Sequence, residues 1–256
     1  MRIAVCMKSV PADFNKGLDK KAGGILRSPY NSTINPADIF ALETAITIKN
    51  RYGGSISAIT MGPEFAEKQL KEACALGADE LFLICDRRAA GADTFATSAV
   101  LSAALKSYDL VLCGERSIDG ETGQVPAEIS ARLELPFLNS VNRIVEFKDN
   151  TLICKTLDDN EQKEVALPLP AVLAISCGME DIGHPLAPSL SGLRKVRTVR
   201  VRRLNLEDLK ISVEQAGEKG SKTMVKQVTI PDWSRKCTMA QSLEIGLSLS
   251  MEVLNV

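Results

Sequence analysis

Between residues 114 and 130 the chain reads GERSIDGETGQVPAEIS. Gly114, Gly120 and Gly123 fall within ten residues, mixed with Ser117, Asp119, Glu121 and Thr122. The run lies between apolar LVLC (110–113) and amphipathic PAEISARLEL (126–135). Glycine reaches φ > 0 without steric cost and leaves its N–H open to a ligand. A helix opening near Thr122–Val125 presents unpartnered N–H groups at its positive end, an arrangement that suits phosphate. Thr122 and Gln124 add side-chain donors. Asp119 and Glu121 are poor neighbours for a phosphate and fit better as groups that orient the loop or face ribose hydroxyls. A polar turn with ordinary capping would use the same residues.

A second junction, RRAAGADTFATSA (87–99), opens the preceding helix with Gly91, Asp93, Thr94 and Thr97. N-capping by Asp93 or Thr94 is the simpler use of that loop. If the two strands that feed these loops are neighbours, both loops edge one crevice.

Other chemistries find little support. His184 is the single histidine and lies in DIGHPLAP with no nucleophile motif beside it, so it is read as non-catalytic. The seven cysteines, at 6, 74, 85, 113, 154, 177 and 237, form no CxxC pair, which argues against zinc or iron–sulfur ligation. Cys6, Cys85 and Cys113 sit in apolar runs and read as small core hydrophobes. No GxGxxG follows the first strand and no GxxxxGK[ST] occurs, which excludes a standard dinucleotide fingerprint and a P-loop. The segment RKVRTVRVRR (194–203) carries six basic residues in ten, but without aromatic interleaving, and the chain's net charge is −1. That excludes a nucleic-acid reading. Its alternation with Val196, Val199 and Val201 predicts an edge strand guarded by charge, or a surface for an acidic partner.

The elements that must position these loops are legible in the first half. Apolar runs IAVCM, ISAITM, LFLIC and LVLC begin near residues 3, 56, 81 and 110, as expected of strands buried on both faces. Amphipathic stretches at 36–51, 63–76, 93–107 and 122–133 separate them, with Pro36 and Pro63 suited to a first helical turn. Asn35, Thr94 and Thr122 are the expected cap-region residues. This alternation predicts an α/β fold with a parallel sheet covered on both faces. After about Leu135, FLNSVNRIVEF, TLICKTL and KEVALPLPAVLAI predict antiparallel strands appended over 137–176, with turns at KDN and DDNEQ. The α/β domain is expected to span 1–205 and a C-terminal extension 206–256. No apolar run approaches the ~20 residues a membrane span needs. The N-terminus reads as a strand and not as a signal peptide, so the cytoplasm is the expected compartment.

An ordered set of blocks resembles the β subunits of electron-transfer flavoproteins, the FixA-like family. The blocks are RIAVCMKSVP (2–11), INPAD with ALETA (34–45), ITMGP (59–63), LGADE (76–80), GADTFATSAVL (91–101) and GERSIDGETGQVPAEISARLELP (114–136). The likeness extends over roughly residues 1–176. It implies a Rossmann-like sheet of the adenine-nucleotide-binding type. It also implies an α subunit carrying its own FAD, a flavin dehydrogenase as a further partner, and an adenine nucleotide in this chain, AMP in ordinary members or FAD in electron-bifurcating ones. By position, the backbone of Cys6 would meet the adenine, with Asn35 and Met61 lining that end. Asp93, Thr94 and Thr97 would edge the phosphates. Thr122, Gly123, Gln124 and Val125 would hold a phosphate through backbone N–H groups, with Ser117 and Asp119 shaping the loop and Gly114 opening it. SIDGETGQVP is shorter than the loop of AMP-binding members and is more similar to that of FAD-binding ones. Leu190 falls where the family's partner-anchoring leucine lies, although Leu186 replaces the arginine usual before it. The tail AQSLEIGLSLSMEVLNV departs from the family and would serve as a docking helix or pack on its own domain. The resemblance implies an electron carrier with no acid–base or nucleophilic catalyst. The rival readings are a stand-alone ATP-using enzyme of this fold, disfavoured because KSVPADFNKG follows the first strand, and a homodimeric nucleotide-sensing module.

Overall fold

The computed structural model describes residues 1–13, 18–19, 24–25, 28–158, 161–177, 187–226, 242–245 and 247. His184, Leu186, Trp233, Cys237 and most of the tail lie outside them. The first strand, β1 (Arg2–Cys6), is followed by short β2 (Ser9–Pro11), β3 (Leu18–Asp19), β4 (Gly24–Ile25) and β5 (Ser32–Ile34). Then come α1 (Pro36–Tyr52), β6 (Ser55–Met61), α2 (Glu67–Leu76), β7 (Glu80–Ile84), α3 (Thr94–Leu105), β8 (Leu110–Gly114) and α4 (Val125–Leu133). The rest is β9 (Phe137–Lys148), β10 (Thr151–Asp158), β11 (Glu161–Pro168), β12 (Ala171–Ile175), α5 (Leu190–Val196), β13 (Val201–Leu204) and α6 (Gly217–Gly220).

Nine strands form one sheet in the order β11-β10-β9-β12-β8-β1-β6-β7-β13. From β13 to the first part of β9 every pairing is parallel. The continuous apolar runs explain this, because alternate residues of each strand must be covered on opposite faces. Ile3 and Val5 pack with Ala41, Leu42 and Ile48 of α1 and Leu70 of α2. Ala4 and Cys6 pack on the other face with Val100 and Leu105 of α3 and Ile129 of α4. From β1 the chain moves through β6 to β7, then returns by α3 to lay β8 on the other side of β1. The order reverses between β1 and β8, the place where open parallel sheets bind ligands beyond their carboxyl ends.

Three expectations need correction. The run 163–175 is not one antiparallel segment. Pro168 and Pro170 interrupt the ladder, so β11 stays antiparallel to β10 while β12 enters the main sheet parallel to β8. The basic segment forms an edge strand only at Val201–Leu204, beside β7; Val196 belongs to α5. The valine spacing there fits a helical turn as well as a strand, and Ser189 caps that turn by accepting the N–H of Gly192 at 3.0 Å. Thr122 caps nothing, because α4 starts at Val125 with Pro126 in its first turn and no side-chain cap.

Gly192 sets how closely α5 approaches α2. A Cβ there would run into the carbonyl oxygen of Ala75 and lie 2.9 Å from its carbon. Gly192→Ala is therefore expected to lift α5 from α2 at a cost of about 1–3 kcal/mol, read as a lower denaturation midpoint. An unchanged midpoint would mean that the two helices do not touch here. Among the described residues, no helix is long and apolar enough to cross a membrane.

Candidate functional site

At the reversal point, the end of β1 and the end of β8 are joined through the first turn of α1. Asp38 is buried there. Its Oδ2 accepts the N–H of Lys8 at 2.7 Å, and its Oδ1 accepts the N–H of Gly114 at 3.1 Å and the amide of Asn35 at 3.1 Å. Burial pushes the Asp38 carboxyl up to about 7, against the hydrogen bonds from Asn35, Lys8 and Gly114 and the charge of Lys8. Because the folded value exceeds the unfolded one, the folded chain binds more protons between pH 4 and 7. Stability therefore falls as pH rises through that window and levels off above it. Asp38→Asn removes the titration. The wild-type stability, measured relative to that variant, should fall by up to about 4 kcal/mol between pH 4 and 8. A constant difference would mean that the carboxylate stays ionised throughout.

Asn35 occupies the N-cap position of α1, but its side chain does not cap the helix. It reaches across instead, donating to the carbonyl of Arg116 at 3.0 Å and accepting the N–H of Ile118 at 3.1 Å. The glycine loop is thus tied to α1 at 116–118. From just past β1, the Lys8 ammonium donates to Ser117 Oγ at 3.0 Å and to Asp119 Oδ1 at 2.6 Å. Glu121 takes a left-handed conformation (φ 51°), closed by its N–H on the carbonyl of Ser117 at 2.9 Å. Gly123 follows at φ 63°. Among the described residues no acceptor meets the backbone N–H groups of Gly123, Gln124 or Val125.

The structure gives Gly114 another role. A Cβ there would meet Asp38 Oδ1 and lie 2.6 Å from the Cβ of Ala37, so the glycine lets α1 press against β8. Its N–H is engaged by Asp38 and is not available to a phosphate.

The strands β7 and β8 are not neighbours, since β6 and β1 lie between them. The two loops meet nonetheless, because the helices they open pack side by side. Thr94 Oγ1 lies 2.9 Å from Gln124 Oε1 and 3.1 Å from Glu128 Oε1. Glu128 Oε2 is buried without a partner among the described residues. Thr97 sits one turn into α3, its N–H on the carbonyl of Asp93. Met61 ends β6, half-buried against the α3/α4 face. Cys6 and Cys113 are in register on adjacent strands, and their contact together with burial pushes the Cys113 thiol up.

Asp93 faces a different partner from the phosphates expected of it. Its Oδ1 caps α3 by accepting the N–H of Ala96, and its Oδ2 accepts from Lys222 N–H, Thr223 N–H and Thr223 Oγ1 at 2.7, 2.9 and 3.0 Å. Burial opposes ionisation, yet the hydrogen bonds from Ala96, Thr223 and Lys222 hold this carboxyl below its usual range. Lys222 also lies 5.5 Å from the Phe95 ring, whose other contact is the Arg132 guanidinium at 4.2 Å.

Sequence reasoning singled out neither Lys8, Asp38 nor the 221–223 segment. The first two carried a signal: a basic residue just past the first strand, and an acid in the first turn of the helix that returns to it. Leu190 stands on α5, 78% exposed, with Leu193 also exposed one turn on.

A family model described as "Electron transfer flavoprotein domain" matches residues 23–209. The chain is 36% identical over 239 residues to "Electron transfer flavoprotein subunit beta" of Thermoanaerobacterium thermosaccharolyticum, covering 92% of this chain and 90% of that protein. It is 37% identical over 230 residues to "Caffeyl-CoA reductase-Etf complex subunit CarD" of Acetobacterium woodii, covering 88% and 86%. To "Protein FixA" of Azotobacter vinelandii it is 32% identical over 249 residues, covering 90% and 84%.

Proposed function

Since the chain belongs to the electron-transfer flavoprotein family, as a β subunit of the FixA type, we propose that the crevice beyond β1 and β8 holds an adenine nucleotide, with FAD favoured over AMP. The observation that carries this reading is the row of N–H groups at Gly123, Gln124 and Val125, which meet no acceptor among the described residues and open a nine-residue helix. Backbone donors at a helix start fit a phosphate. The orphaned Glu128 Oε2 beside Thr94 fits a hydroxyl of the sugar or ribityl portion, since a buried acceptor left unpaired is costly. The short loop, 117–126, favours FAD, which would give the chain a part in electron bifurcation.

As an electron transfer subunit the chain is a carrier. The bound flavin supplies the redox chemistry, and the chain's own residues bind and orient it. Gly123, Gln124 and Val125 would hold a phosphate, Thr94 and Gln124 would close the same edge, and the ends of β1 and β6 at Cys6 and Met61, with Asn35, would bound the adenine. The partners in this reading are an α subunit carrying FAD and a flavin dehydrogenase that Leu190 would meet. The exposure of Leu190 and Leu193 on a helix seated by Gly192 supports that contact. Among the described tail residues Leu243, Ile245 and Leu247 are exposed, which suits docking on the α subunit.

Gly123→Val tests the site. At φ 63° a β-branched residue is strained, and the turn should reopen and withdraw its N–H groups. The expected result is a folded sheet purified without its nucleotide. Unchanged nucleotide content would place the phosphate elsewhere.

A further inference from the structure

We infer that Glu128 is a specificity-determining residue of the crevice: its free oxygen accepts a ribityl hydroxyl and so holds FAD while adding nothing to AMP. The inference deepens the nucleotide reading above and rests on it. The seam between α3 and α4 is short of donors where the two helices start. Thr94 Oγ1 lies 2.9 Å from Gln124 Oε1 and 3.1 Å from Glu128 Oε1, yet a hydroxyl has one proton to give. Even with the Gln124 amide turned so that it donates to Thr94, that proton serves Glu128 Oε1 and leaves Oε2 bare. Arg132, one turn further along α4, is the cation that an acid four residues earlier usually meets. Among the described residues it turns to α3 instead, donating to Ser98 Oγ at 3.0 Å and to the carbonyl of Phe95 at 2.9 Å. Glu128 Oε2 is therefore buried with no donor among the described residues, beside the edge that Thr94 closes. A buried acceptor in that state is costly unless a ligand supplies the donor.

The order of contacts along the glycine loop decides which hydroxyl reaches it. Asn35 holds the loop at Arg116 and Ile118, the end given to adenine. The N–H row at 123–125 comes next. Glu128 follows, its side chain leaning back toward the start of α4 as helical side chains do. The ribose of adenosine lies between adenine and phosphate, on the Asn35 side of the row, and AMP ends at its phosphate. FAD continues past its phosphates into the ribityl chain, which carries hydroxyls. A row of donors followed by a bare acceptor matches phosphate oxygens, which accept, followed by hydroxyls, which donate.

The experiment uses the heterodimer, with FAD kept in the α subunit and the crevice of this chain emptied. Equilibrium dialysis is run against radiolabelled AMP and, separately, radiolabelled FAD. Glu128→Met keeps the length of the side chain and removes both acceptors. It should weaken FAD about tenfold and leave AMP within about twofold of the wild type. Equal weakening of both ligands would overturn the inference, because Glu128 would then meet the ribose of adenosine; the adenine-nucleotide reading itself would stand. Unchanged FAD affinity would overturn it as well, since Oε2 would then take no hydroxyl from the ligand. Should Glu128→Met not accumulate as a folded heterodimer, the wild type is tested against FAD analogues that each lack one ribityl hydroxyl. One of them should bind about tenfold more weakly than FAD; no loss with any of them would overturn the inference. The wild type is measured before any variant. Binding of AMP without FAD would keep the adenine site and overturn the role of Glu128, whereas binding of neither would sink the nucleotide reading.

Discussion

Gly114→Ala should lower the stability of the chain by about 2–4 kcal/mol and strip the crevice of nucleotide at the same time. The added Cβ would meet Asp38 Oδ1 and lie 2.6 Å from the Ala37 Cβ and 2.7 Å from the Ala37 carbonyl carbon. Asp38 Oδ1 ends a side chain held by three hydrogen bonds, and the Ala37 atoms cannot rotate away. The first turn of α1 must back away from β8, and overpacking of this kind typically costs 1–3 kcal/mol. Retreat also breaks the Gly114 N–H bond to Asp38, which leaves a buried carboxyl short of a donor. Asn35 moves with α1 and releases Arg116 and Ile118, so the loop loses its near anchor. Denaturant titration reads the first effect and nucleotide content the second. A midpoint equal to that of the wild type would show that α1 does not close on β8 as described.

Asp93→Ala should detach the segment 217–226 from the loop after β7. The carboxylate both caps α3 and collects three donors from Lys222 and Thr223, while Asp93 N–H donates to Ser221 Oγ at 2.9 Å. Losing a cap costs about 1 kcal/mol, and each hydrogen bond to a charged group contributes on the order of 1 kcal/mol or more. The combined loss should approach about 3 kcal/mol, localised where the segment docks. Gly217 confirms how close that docking is: at φ 58° a Cβ would collide with the carbonyl of Arg88 and lie 2.9 Å from that of Ala90. Hydrogen exchange checks the prediction. The amides of Lys222 and Thr223 should lose protection while those of β1 and β8 keep theirs. Unaltered protection at 222 and 223 would show that Asp93 does not hold the segment.

The parts of this fold legible in the sequence are those with a local pattern. Ile3–Cys6, Ile56–Met61 and Leu110–Cys113 are mainly apolar runs because neighbouring strands and helices on both faces cover them, and the helices between them follow from amphipathic spacing. The prolines at 168 and 170 were visible, but whether the chain beyond them pairs antiparallel or rejoins the parallel sheet depends on an open place beside β8, which no local signal reports. Residues 196–201 carried valines at spacings that fit both helix and strand. Packing of Gly192 on Ala75 decides the matter for α5.

The site was legible to a similar depth. The glycine loop and the Thr94 junction announced themselves by composition, and the structure joins them through Thr94 and Gln124. Their supports did not. Lys8 meets Asp119 across 111 residues, Asp38 meets Gly114 across 76 and Asp93 meets Thr223 across 130. Gly114 shows the opposite error. Its place in a glycine-rich stretch suggested a donor to a ligand, whereas its need is the absence of a side chain under α1.

The most direct test of the nucleotide reading is to purify the chain with a co-expressed α subunit, denature the complex, and identify and count the released nucleotides by mass and absorbance. Two FAD per heterodimer is the predicted result, one from each subunit; one FAD with one AMP would keep the crevice as the binding site and make the chain a simple carrier. A single FAD with no second adenine nucleotide would contradict the account, because the N–H groups of Gly123–Val125 would then have nothing to hold.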